Sequence, residues 1–144
     1  MSGHTVVALR VHLVEIPAKA VHSHGSGDVA GISVALLELT TDTGLTGWGE
    51  ASPWPVFTGT VEAAAAALHT HFRPLVIGAD PVLVEPLMTR AEKVLVGHPE
   101  AKAALECALL DLSGQISGLS IAELIGGRQR AKIPMSFSVA NPDF

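Results

Sequence analysis

The side chains able to do chemistry are few and scattered. His22 and His24 stand two apart, and so do His69 and His71. In an extended loop His22 and His24 are expected to project to opposite sides, a poor geometry for chelating one metal. On a helix, His69 and His71 would lie roughly 200° apart. Neither pair has a neighbouring cysteine or carboxylate that completes a known metal spacing. No metal site is therefore expected in this chain. Glu50 follows Gly47-Trp48-Gly49 and has the chemistry of a general base, but it is read as a structural acceptor for backbone N–H groups or an arginine. Glu106 and Asp111 are read in the same way, with Asp111 partly buried and paired. Cys107 sits among alanine and leucine and is expected to be a small buried hydrophobe. No Ser-His-Asp set or nucleophile elbow occurs. Gly25-Ser26-Gly27 and Gly126-Gly127 lack the full phosphate-loop pattern. A complete reaction centre is missing, and attention moves to two loops of unusual content, residues 20–30 and 51–59.

The elements that would carry those loops can be read from periodicity. Residues 6–16 alternate as a strand, with Val7, Leu9, Val11 and Leu13 on one face. Pro17 limits its continuation, and the glycines of residues 20–30 mark a mobile loop. Residues 32–40 form a second strand. Thr41-Asp42-Thr43-Gly44 is a turn, and residues 45–50 return as a third strand. These make a three-stranded antiparallel meander. In a meander, the loop entering strand two and the loop leaving strand three share one end. That end presents His22, His24, Trp54 and Phe57 together, as a lid over a small ligand. The competing reading is that Trp54 and Phe57 staple their loop to the core.

Helices come next. Thr60 is a candidate N-cap, and alanines 63–67 have the highest helix propensity. Pro74 should end or kink that helix. Asp80-Pro81 reads as an N-cap with proline at the first helical position, and Pro86 delays or bends the helix that would begin there. Ala101, Ala104, Leu105, Ala108, Leu109 and Leu112 step by three and four, one apolar face of a helix beginning near Pro99. Ser120 and Glu123 fit a capping box, with Gly126-Gly127 as the stop. Residues 133–139 read as a further short strand. Strands followed by helices define an α+β fold.

Composition narrows the function classes. The chain has 144 residues, 48% hydrophobic and 16% charged, enough to bury a core and too few for a complete (β/α)8 barrel, which takes about 250. Nine Lys+Arg against fourteen Asp+Glu leave a net charge of −5, so nucleic acid is not an expected partner. No apolar run reaches the roughly 20 residues of a membrane helix, and no membrane partner is expected. One cysteine excludes an internal disulfide and fits a reducing, cytoplasmic setting.

Three motifs in order carry a resemblance. Thr-Asp-Thr-Gly-Leu-Thr-Gly-Trp-Gly-Glu-Ala-Ser-Pro at 41–53 resembles the hairpin and adjoining loop of the enolase superfamily's capping domain. Residues 101–111 are similar to its A-K-x-A-x-E-x-A-L-x-D helix. Gly118-Leu119-Ser120 through Leu124-Ile125-Gly126-Gly127 resembles the segment that closes the cap. The last two point to the mandelate racemase/muconate lactonizing enzyme family and its muconate cycloisomerase-like subgroup.

The resemblance implies a cap at 1–127 and, at 128–144, the start of a truncated (β/α)8 barrel with its first strand at 133–139. It implies that Val21, His22, Ser23 and His24 on the first loop, and Trp54, Phe57 and Thr58 on the second, contact substrate. Ser136 matches a position where some relatives place a substrate-contacting hydroxyl. Catalytic lysines and three acidic ligands for magnesium (or manganese), which stabilises the enediolate, belong to the barrel and have no counterpart here. The expectation is a lid portion of a metal-dependent isomerase acting on a small carboxylate, inactive alone and homo-oligomeric at full length. Cycloisomerase is favoured narrowly over a dipeptide or N-acylamino-acid epimerase or racemase or an o-succinylbenzoate-synthase-like dehydratase, although residues 53–59 lean towards the epimerases. The reading of another class is a stand-alone, non-catalytic binding or interaction module.

Overall fold

The structure is a computed structural model that describes residues 2–25 and 27–136, without the side chains of His22 and His24. Three antiparallel strands, β1 (Val6–His24), β2 (Gly27–Thr41) and β3 (Thr46–Ala51), form a sheet in the order β1-β2-β3. The helices come after it: α1 (Val61–Ala66), a π-helical segment (Ala67–Phe72), α2 (Arg73–Val76), α3 (Val84–Val94), α4 (Pro99–Ser117) and α5 (Ile121–Leu124). This is the α+β meander-then-helices architecture expected from the sequence.

The first hairpin departs from expectation. β1 does not stop at Pro17 but runs on to His24, so residues 20–30 form the end of a long hairpin rather than a loop. Proline is tolerated there because β1 is an edge strand, whose outward N–H has no partner to lose. The irregularity falls just after it. Pro17 pairs with Gly31 and His22 with Val29, so residues 18–21 stand opposite Ala30 alone, a large bulge. Gly31 is needed at this crossing, since a Cβ there would lie 2.8 Å from the Ile16 carbonyl oxygen. Positions two apart in an extended strand share one side, so extension gives no reason for His22 and His24 to diverge, and their side chains lie outside the described residues. A second register shift between Val6 and Ala8 puts Val6 in the core and Val7 outside, reversing the expected phase at that end.

The body is held by α4 lying on β3. Ala101, Ala104, Leu105, Ala108, Leu109 and Leu112 are all fully buried, as their spacing predicts. Gly47 and Gly49 sit directly under this helix. A Cβ at Gly49 would collide with the Ala104 carbonyl, and one at Gly47 with the Ala108 carbonyl and Leu112. Backbone thus meets backbone, which only glycine against alanine permits. The free edge of β3 is satisfied from the same helix. Trp48 N–H donates to Asp111 Oδ2 at 2.9 Å, and Gln115 Nε2 donates to the Thr46 carbonyl at 2.7 Å. Asp111 is therefore the half-buried structural acceptor expected, while Glu106 is simply exposed.

Elsewhere the departures are local. Pro74 does not end its helix. The preceding segment widens to π geometry, with Arg73 N–H reaching the Leu68 carbonyl, and the chain stays helical to Val76. His69 and His71 are exposed on this segment, in line with a solvated surface. Asp80 is not an N-cap, because α3 begins at Val84 after Leu83. Its carboxylate instead accepts from Ser2 N–H and Ser2 Oγ, both at 2.6 Å, and from Val82 N–H at 3.2 Å. Pro86 falls in the first turn of α3, where its missing N–H costs nothing. Cys107 is exposed, on the side of α4 away from the sheet, rather than buried. Lys102, by contrast, is buried, with Nζ 2.6 Å from Glu92. The capping box at Ser120 and Glu123 forms as expected, and Gly126 and Gly127 take φ of 112° and 94°. Residues 133–136 are exposed chain without strand structure, so the expected strand is absent over that part. Residues 137–139 lie outside the described residues.

Candidate functional site

The two unusual regions do come together, through the hairpin rather than through a loop. β3 ends at Ala51, opposite Ala35. β2 extends from there back to Gly27, and at about 3.4 Å per residue the arm reaches roughly 25 Å past the end of β3. The chain leaving β3 turns alongside this arm. Between them lies a cleft of about 550 Å³, lined by residues 28–33 of the arm, 52–55 of the loop and 60–62 at the start of α1. That volume suits a small ligand.

The loop is a tight one-turn structure. The Trp54 carbonyl accepts from Phe57 N–H and Thr58 N–H, both at 2.9 Å, and Trp54 N–H donates to Thr58 Oγ1 at 3.1 Å. Trp54 and Phe57 meet edge to face with ring centroids 5.9 Å apart. Phe57 remains 76% exposed and Trp54 39% exposed. The rings pack on each other and not into the core, so the core-staple reading fails. Thr60 caps α1 by accepting from Ala63 N–H at 3.3 Å, which fixes where the loop joins the body.

The side chains of the expected site residues other than His22 and His24 are described. Trp54 lines the cleft, while Phe57 covers the flank of Trp54. The Thr58 hydroxyl holds the loop closed, beside a smaller cavity of about 300 Å³ under the loop. Val21 is exposed on the bulged part of the arm. Ser23 Oγ donates to Asp28 Oδ1 at 2.6 Å, clasping the two strands near the tip. The backbones of His22 and His24 pair with Val29 and Gly27, and their side chains are outside the described part of the structure. Ser136 is exposed and lines none of the cavities described.

Sequence reasoning missed Asp28 and Glu62, both exposed and both lining the cleft. Asp28 passes as one more polar residue of a glycine-rich stretch, and Glu62 as an ordinary first-turn helix acid. Glu62's own backbone N–H and the Thr60 hydroxyl hold its carboxyl below the usual range. Glu50 accepts from the Ser52 hydroxyl rather than from backbone N–H groups or an arginine, and it is exposed. Among the described residues, no three of His, Cys, Asp and Glu converge as a metal set. The arrangement can grip, desolvate and select a small molecule.

Comparison with known proteins agrees with that division. The N-terminal-domain model of the mandelate racemase/muconate lactonizing enzyme family matches residues 4–126. Muconate cycloisomerase 1-1 of Acinetobacter lwoffii is 30% identical over 99% of this chain, which spans 38% of that enzyme. A muconate cycloisomerase structure from Azorhizobium caulinodans is 49% identical over 98% of the chain and 36% of its own length, with a TM-score of 0.80. A dipeptide epimerase from Enterococcus faecalis V583, solved with Mg and the dipeptide L-Leu-L-Tyr, is 29% identical over 85% of the chain and 35% of its own length, with a TM-score of 0.79. The chain thus spans little more than a third of these relatives. With the family's N-terminal-domain model matching residues 4–126, the chain belongs to the mandelate racemase/muconate lactonizing enzyme family and carries its N-terminal domain.

Proposed function

We propose that this chain is the lid and specificity portion of a divalent-metal-dependent isomerase that abstracts the proton alpha to a carboxylate. Residues 1–127 form the cap and 128–144 begin the barrel. The catalytic acids and bases, and the acidic ligands for magnesium or manganese, reside in the C-terminal part that the relatives possess. When bound there, the metal supplies positive charge to the substrate carboxylate. The small carboxylate would be held between that centre and the cap, in a cytoplasmic, homo-oligomeric enzyme.

The observation that carries this reading is the cleft between arm and loop. It is bounded by exposed apolar groups (Ile32, Trp54) that a free-standing domain gains nothing by leaving in water. The cap's residues would bind the part of the substrate remote from the reacting carbon, orient it and exclude water. Trp54 and Phe57 would supply a rigid apolar wall, with the Thr58 hydroxyl keeping that wall in shape. Two relatives' activities, cycloisomerisation of muconate and epimerisation of dipeptides, define the substrates to try.

The test uses the full-length polypeptide with magnesium. Lactone formation from cis,cis-muconate, or uptake of solvent deuterium at the alpha carbon of a dipeptide, is expected. Neither reaction on any small carboxylate would overturn the enzyme reading. Trp54→Ala should reduce kcat/KM while leaving magnesium affinity unchanged, since the cap holds none of the proposed ligands.

A further inference from the structure

The charges lining the cleft discriminate among carboxylates. Its described lining contains two ionisable side chains, Asp28 from the arm and Glu62 from the first turn of α1, and both are acids. No lysine or arginine lines it. The remaining lining is apolar or neutral, with Trp54 and Ile32 on opposite walls. The two acids come from elements on opposite sides of the cleft. Asp28 Oδ1 is held by the Ser23 hydroxyl at 2.6 Å, and Glu62 stands in the first turn of α1, two residues after its N-cap Thr60. A second carboxylate placed here would face two like charges in a site that closure makes less watery, where like-charge repulsion grows. An ammonium on an apolar stem would meet both acids and an aromatic face, each attractive to a cation.

We infer that this cleft takes the remote end of a monocarboxylate whose far end is a primary ammonium on an apolar stem, with Asp28 and Glu62 as the specificity-determining pair. The inference rests on the lid reading above and narrows it from small carboxylates in general to amine-bearing amino-acid derivatives. The reacting carboxylate lies at the other end, towards the C-terminal part. The remote end is what the cap sees, so dicarboxylates such as muconate are disfavoured by the same two side chains that favour the amine.

Three N-acyl-L-alanines of similar length separate charge from shape: N-(6-aminohexanoyl), N-hexanoyl and N-adipoyl, ending in ammonium, methyl and carboxylate. The full-length protein with magnesium is assayed on each for alpha-deuterium uptake, with cis,cis-muconate alongside for lactone formation. The expected order of kcat/KM is ammonium, methyl, carboxylate, spaced by about tenfold or more per step. The double substitution Asp28→Asn with Glu62→Gln should shrink the ammonium-to-methyl ratio at least tenfold, and each single change should shrink it in part. Turnover in which N-adipoyl-alanine or muconate matches or exceeds the ammonium probe would overturn this inference and leave the lid reading standing. So would a ratio indifferent to both substitutions. Absence of reaction on all four probes would overturn this inference, and absence on dipeptides as well would overturn the enzyme reading with it.

Discussion

The body of the domain and its projecting arm are built from similar residues and use them in opposite ways. In the body, Leu37, Leu39, Leu105, Leu109 and Phe72 are fully buried, and Gly47 and Gly49 let α4 touch β3 backbone to backbone. On the arm and its neighbouring loop, Leu13, Ile16, Val21, Ile32 and Phe57 are left substantially exposed. The strands are continuous, so the change is not one of secondary structure. It occurs where β3 ends at Ala51 and the helices no longer cover the sheet. Beyond that line, Val34 excepted, these apolar side chains contribute little to holding this domain together, and they remain available to something outside it. Burial and exposure of apolar side chains are therefore divided between different stretches of the same two strands.

The contrast can be tested from its strongest point downwards. Phe72→Ala should cost about 3–5 kcal/mol in denaturant unfolding, as for other buried aromatics. A loss below about 1 kcal/mol there would remove the body side of the comparison. Gly49→Ala should cost about 1–3 kcal/mol, because the added Cβ meets the Ala104 carbonyl. The same change at Gly25, in the arm's turn, has nothing within 4 Å and should be neutral within about 0.5 kcal/mol in the same assay. Asp111→Ala removes the acceptor for Trp48 N–H and a partner of Gln115, and should cost about 1–2 kcal/mol by thermal unfolding.

A pH titration of stability sharpens the boundary further. Burial by itself pushes the Asp80 carboxyl up, but the Ser2 hydroxyl, Ser2 N–H and Val82 N–H outweigh it and hold it below its ordinary 3.8. A depressed folded-state value stabilises the fold fully above the unfolded value and loses that effect as pH falls through the folded one. Wild type should therefore lose stability below about pH 4, and Asp80→Asn should lose less over that window, by about 1 kcal/mol. The smallest stability effect is expected at Phe57→Ala, within about 0.5 kcal/mol. In the proposed full-length enzyme the same change should lower kcat/KM about tenfold, so the two readouts would separate the proposed loop function from domain stability.

Much of the body was legible in the sequence because its signals are local. The three-and-four spacing from Ala101 to Leu112 has one reading, and the structure buries every one of those residues. Thr60 and Ser120 announce helix starts through side chains that satisfy nearby N–H groups. Pro17 and Asp80 misled for a common reason. Each local preference was outweighed by a partner distant in sequence: the strand pairing of β1 with β2, and Ser2 against Asp80. Cys107 was misread because neighbours in sequence were taken for neighbours in space. It lies one position off the buried stripe of α4. The aromatic part of the candidate site was visible, since Trp54 and Phe57 stand out in a proline-rich loop. Asp28 and Glu62 were not, because exposed acids near glycine or in a first helical turn are ordinary.

The sequence by itself determined the meander, the seat of α4 and the family, because these rest on periodicity, caps and short motifs within a few residues of one another. Only the tertiary structure decided that residues 22–24 pair with 27–29 at the end of a projecting arm, that the loop at 51–59 packs its aromatics on each other, and that two acids from distant elements line one cleft. Those outcomes depend on which surfaces remain uncovered after the chain has folded, and that is set by contacts between segments far apart in sequence.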